Sequence, residues 1–190
     1  MDRFEFFFTL SGLLLGFSLV EVVAGFGRAI ELSVLRGPNV QPARVRVGWL
    51  SPLLGLFVAC NLLSFWTGAW SQRHAIPVHY LSLLYAFTVT AGYYLAAMLV
   101  FPRGIQASAD LDDHYFKVKR WVLAVVLACN VIGAAGIALI GHGSLPGAMD
   151  LVFYALLVAL FFARGRRINL VILVPLAALY PLTGLITFAL

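Results

Sequence analysis

A carboxyl stands inside an apolar run near the start of this chain. Glu21 lies within FFFTLSGLLLGFSLVEVVAGFGRA, residues 6–29. At ~1.5 Å per residue that run can cross a ~30 Å hydrocarbon layer. No other apolar run here holds an acid at such depth. An acid there is costly unless it is paired or hydrated. Two chemistries suit it: a titrating or cation-attracting group on a wet path, or a protonated, hydrogen-bonded group that locks helices together.

Two amides, Asn61 and Asn130, also fall near the centres of apolar runs, where an unpaired amide is expensive. The simplest pairing joins them to each other, to Tyr85 and Tyr154, or to Glu21. Such a polar core is either interhelical glue worth ~1 kcal/mol per bond or the lining of a path for a proton or small cation. Arg28 shares a helical stripe with Leu14, Phe17, Ser18, Glu21 and Gly25. It lies roughly 10 Å along the axis from Glu21, and its plainer role is as a topology signal. Gly12 and Gly16 fall on nearly the opposite face, at a spacing that lets a second helix approach closely, in the chain or from another copy. The first span is therefore expected to have two protein-facing sides.

His74, His79 and His142, with Asp150, fall near the same ends of their spans. Their spacing matches no metal motif, so they are weak metal candidates and read first as solvated loop residues. Cys60 and Cys129 sit mid-run and read as small buried hydrophobes. Hydrolase, zincin, P-loop and dinucleotide signatures are all missing, so neither an enzyme nor a cofactor is expected. Asp110, Asp112 and Asp113 form the densest acidic group. With Lys117, Lys119 and Arg120 behind them, they read as the solvated start of a helix capped by Ser108.

The elements that must hold these groups follow from composition. The chain is 62% hydrophobic and 11% charged, far from the quarter charged of soluble domains. That implies one integral membrane domain over residues 1–190, all-α and polytopic. Six transmembrane helices are predicted, about 6–28, 47–70, 78–101, 121–140, 147–164 and 168–189, with a short interfacial helix at about 108–120. Arg28, Arg36, Arg44 and Arg46, then Arg103, Lys117, Lys119 and Arg120, then Arg164, Arg166 and Arg167 all fall on one side. Only Arg3 and Arg73 oppose them, so both termini are expected outside the cytoplasm. Trp49 and Trp121 mark the inner boundary, and Trp66, Trp70 and Tyr80 the outer one.

At an offset of 69 residues, Ala59-Cys60-Asn61 recurs as Ala128-Cys129-Asn130, Pro77 as Pro146 and Tyr85-Ala86 as Tyr154-Ala155. This predicts a parallel duplication of a helical hairpin, spans 2–3 and 4–5. The functional expectation is a homo-oligomeric ion channel or transporter of the bacterial inner membrane, with Glu21 in a polar interior. The alternative is an accessory subunit or assembly factor of a larger membrane complex. Expected partners are membrane lipids, anionic on the cytoplasmic face, and further copies or subunits. The basic residues flank apolar runs, so nucleic acid is not among them.

Overall fold

The computed structural model describes residues 3–34, 48–74, 79–102, 110–139 and 147–189. Among these the chain is all-α: α1 (Arg3–Val34), α2 (Leu50–Ser71), α3 (Tyr80–Val100), α4 (Leu111–Leu139), α5 (Ala148–Phe162) and α6 (Arg166–Ala189). Five of the six, all but α5, are long and apolar enough to cross a membrane. α5 has 15 residues, roughly 22 Å at 1.5 Å per residue and short of a ~30 Å hydrocarbon layer. The fifth predicted span is thus a shorter apolar helix.

The interfacial helix expected before span four is not separate. α4 runs unbroken for 29 residues, roughly 44 Å, so one end of it extends past a ~30 Å layer. Asp110 provides its N-cap, with Oδ1 accepting from Asp112 N at 2.8 Å. Ser108 lies outside the described residues.

Contacts between helix ends show that the helices alternate in direction. Phe8 near the start of α1 packs edge-on against Trp66 and at a tilt against Trp70, near the end of α2. Ser51 at the start of α2 donates to Leu111 O at the start of α4. Lys119 in the first half of α4 reaches Leu160 O at the end of α5. One end of the bundle therefore gathers Arg28, Lys117, Lys119, Arg120, Arg164, Arg166 and Arg167 among the described residues, and is called the basic end below.

α2 is the centre of the packing, against α1, α3, α4 and α6. Its Leu50, Leu54, Phe57, Val58 and Leu62 are fully buried. α1 packs on α2 and α3 and buries one stripe, Leu15, Ser18, Val22, Gly25 and Ala29, at steps of three and four. Leu13, Phe17, Val20, Val23 and Ile30 face away from the protein. Within the chain, then, the first span has one protein-facing side. Gly25 leaves no room for a side chain because the Phe101 ring fills its surface, whereas Gly16 has open space around it. Gly12 lies against the Trp66 indole.

Candidate functional site

Two groups of polar side chains are buried at opposite ends of the bundle. At the basic end, Asp112, Tyr115 and Lys119 project from one face of α4, at steps of three and four, and all three are buried. This corrects the reading of that segment as a solvated helix start: only Asp113 of the aspartates is exposed. Lys119, 3% exposed, donates from Nζ to Leu160 O at 3.1 Å, Ala163 O at 2.5 Å and Asn169 Oδ1 at 2.8 Å. An ammonium has three hydrogens, so every one is used. Two acceptors are carbonyls at the C-terminus of α5, where a cation also meets the favourable end of the helix dipole.

Asn169 joins the same knot. Its Oδ1 also accepts from Tyr115 OH at 2.9 Å, and its Nδ2 donates to Gly165 O at 2.7 Å. Gly165 has φ 104°, a left-handed conformation that glycine adopts without a Cβ clash. Asp112 Oδ1 accepts from Leu50 N at 3.2 Å, and Oδ2 lies 2.7 Å from Arg166 Nε. Together these groups tie the starts of α2, α4 and α6 to the end of α5. This is the structure of a brace.

The opposite half of the bundle holds a cavity of about 500 Å³. It is walled by the first halves of α1 and α3, the second halves of α2 and α4, Tyr154 of α5 and Tyr180 of α6. Phe8, Phe65, Trp66, Tyr85, Tyr154 and Tyr180 supply an aromatic wall. Asn61, Tyr93 and Asn130 form a polar patch on it. Asn130 Nδ2 donates to Asn61 Oδ1 at 2.9 Å and to its own-helix carbonyl Val126 O at 2.9 Å. Tyr93 OH donates to the same Asn61 Oδ1 at 3.2 Å. Asn61 is 1% exposed, and its Nδ2 is buried with no hydrogen-bond partner.

Of the residues singled out from sequence, Asn61 and Asn130 meet directly, and Tyr85 and Tyr154 stand on the same cavity wall. Tyr85 donates to Gly133 O at 3.2 Å, not to an asparagine. Glu21 is half-buried on α1 and is not part of the cavity wall. Arg28 is half-buried one to two turns further toward the basic end, and its Nε is buried without a hydrogen-bond partner. Gly12 lines the cavity; Gly16 does not.

His79 caps α3, with Nδ1 accepting from Ser82 N at 3.2 Å, and Asp150 Oδ2 accepts from Gly147 N at 2.9 Å ahead of α5. Both groups are thus engaged in helix starts. His74 is exposed, and His142 lies outside the described residues. Trp66, expected in an interfacial belt, turns inward and lines the cavity.

Tyr93, Lys119 and Asn169 were not singled out for these roles by sequence reasoning. Tyr93 falls four residues beyond Val89 and three before Ala96, both buried. That small and β-branched stripe is the one signal that could have found it.

Compared with known proteins, the chain matches no family model, no curated protein and no solved structure.

Proposed function

We propose that this chain is a small membrane carrier or receptor that holds an amphipathic small molecule within its transmembrane bundle. The observation behind this reading is the cavity of about 500 Å³, aromatic on its wall and polar on one deep patch. Its size falls in the range of small-molecule sites, and a mostly apolar lining with a few placed polar groups is their usual chemistry. The positive-inside bias of the sequence supports a reading in which the cavity lies in the outer half of a bacterial inner membrane. The meeting of Asn61 with Asn130, 69 residues apart, supports reading the α4–α5 hairpin as a duplicate of α2–α3.

Of the two sequence-level transport expectations, this favours carriage over ion conduction. A conducting path was expected to use Glu21, which is not among the residues lining the cavity. Native mass spectrometry of the full chain released from mild detergent tests the proposal and reads copy number at the same time. A bound small molecule that dissociates on activation is the expected result. A bare protein mass from native membrane extracts, under conditions that keep other lipid-binding proteins loaded, overturns it. Proton or potassium flux into liposomes, lost in Glu21→Gln, would restore the ion-conducting reading.

A further inference from the structure

The hydrogen bonds around Asn61 leave a specific demand unmet. Asn130 sets the order of events. Its Nδ2 donates to Val126 O, a backbone carbonyl of its own helix, so the amide cannot be turned over without setting oxygen against oxygen. Its second hydrogen then points to Asn61, which must answer with Oδ1 at 2.9 Å. Tyr93 OH donates to the same oxygen, and both lone pairs are taken. Asn61 is thereby held in one orientation, with both Nδ2 hydrogens left over in a residue that is 1% exposed and lines the cavity. Buried donors in that state are uncommon in folded proteins and expensive.

The lining carries further information about what could satisfy the donor. No Asp, Glu, Lys or Arg is among the residues that line the cavity. A phosphate, carboxylate or ammonium seated beside Asn61 would lose its hydration and find no opposite charge. What Asn61 offers is an amide hydrogen, and its complement is a neutral oxygen. The wall from Asn61 to Gln72 spans eleven steps of α2, roughly 16 Å at 1.5 Å per residue. Along it lie Phe65 and Trp66, with Phe8 packed against the Trp66 ring and Tyr85 contributed by α3. An ordinary phospholipid with its head near Gln72 and His79 would set its hydrocarbon against Asn61 and leave that donor unpaired.

We infer that the cavity takes a neutral amphiphile head-down, with a carbonyl or hydroxyl oxygen displacing the wall that encloses Asn61 Nδ2 to accept from it, and the apolar part lying along the aromatic wall. This rests on the binding reading above. The test therefore separates the failure of the ligand class from the failure of binding itself. Trp66 lines the cavity, so the full chain with Trp49, Trp70 and Trp121 replaced by Phe gives a local fluorophore. Three probes share one dibrominated chain that quenches tryptophan: a long-chain alcohol, the corresponding carboxylate and the corresponding alkane. The alcohol should quench saturably and bind about tenfold tighter than either of the others, the value of one buried hydrogen bond to a neutral acceptor.

Asn61→Leu should erase that tenfold preference. The comparison of three probes on the unsubstituted asparagine stands by itself if Asn61→Leu does not fold. Equal saturable quenching by alcohol and alkane overturns the hydrogen-bond assignment, and tighter binding of the carboxylate overturns neutrality; both leave a binding cavity intact. Absence of saturable quenching by all three overturns the binding reading.

Discussion

Removing the ammonium of Lys119 should weaken the fold by about 2 kcal/mol, and the arithmetic is open to test. Its three bonds to Leu160 O, Ala163 O and Asn169 Oδ1 are charge-assisted, each worth about 1.5–3 kcal/mol. In Lys119→Met these are lost, but burying a charge costs several kcal/mol, and that cost is returned. Nor are the acceptors stranded. Leu160 O keeps Ala163 N at 3.3 Å, Ala163 O keeps Asn169 Nδ2 at 3.5 Å, and Asn169 Oδ1 keeps Tyr115 OH. The net of about 2 kcal/mol corresponds to a fall in Tm of roughly 4–8 °C for a chain of this size, readable by thermal unfolding in detergent. Lys119→Arg should recover about half, because a planar guanidinium cannot converge three hydrogens on three acceptors around one point. A double-mutant cycle with Asn169→Leu should show at least ~0.5 kcal/mol of coupling. A rise in Tm in Lys119→Met would refute the brace, since desolvation would then outweigh everything the ammonium holds.

The other expectations are smaller or more local. Gly25→Leu should destabilise by about 1–3 kcal/mol, because the new side chain meets the buried Phe101 ring, whereas Gly16→Leu, with open space around it, should leave Tm unchanged in the monomer; equal effects at the two glycines would contradict this packing. Arg166→Gln should cost under ~1 kcal/mol, and less at high salt, since that side chain is half exposed. Asp112→Leu strands the buried Leu50 N–H and should cost about 1–3 kcal/mol; urea or detergent unfolding of both variants compares them directly. Glu21→Gln should leave Trp66 quenching by the brominated alcohol within about twofold of the parent, as expected of a side chain off the cavity wall; a tenfold loss would mean that the acid reaches the ligand.

Much of this architecture was legible before any coordinates. Lengths of apolar runs gave the helices and their alternation, because a membrane admits only helices and closed barrels, and continuous apolar runs of about 20 residues suit helices alone. The offset of 69 residues linked Asn61 to Asn130, which do hydrogen-bond. What sequence could not reveal is which side of each helix meets protein. Lipid tails are as apolar as leucine, so hydropathy is uniform around a spanning helix and only small and polar residues mark a contact. That is why sequence predicts two protein-facing sides for α1, with its conspicuous acid, whereas α1 buries one side within the chain and α2 occupies the centre. Lys119 was lost among topology charges for a related reason. Counting basic residues by loop says which side they lie on, but its inward direction depends on the i+4 step from Tyr115 and on the end of α5 arriving beside it.

The two polar clusters answer the same problem in opposite ways, and the difference separates fold from function. At the basic end each donor and acceptor of Lys119, Tyr115 and Asn169 described above has a partner within the chain, and such closed networks rigidify and specify a structure. Across the bundle, Asn61, Tyr93 and Asn130 are bonded to one another just as closely, yet the arrangement that satisfies Asn130 strands two hydrogens of Asn61. A core selected for stability alone has an inexpensive remedy: Leu at position 61 would remove the stranded donor, and replacing both partners with apolar groups of similar shape is often neutral or stabilising. Asn61→Leu combined with Asn130→Leu and with Tyr93→Phe, which removes the hydroxyl that would lose its acceptor, should therefore retain or raise Tm while abolishing the alcohol preference at Trp66. That opposition, stability kept and recognition lost, is the signature of a polar group held for a ligand, and a combined variant that unfolds would instead assign the polar trio to the fold.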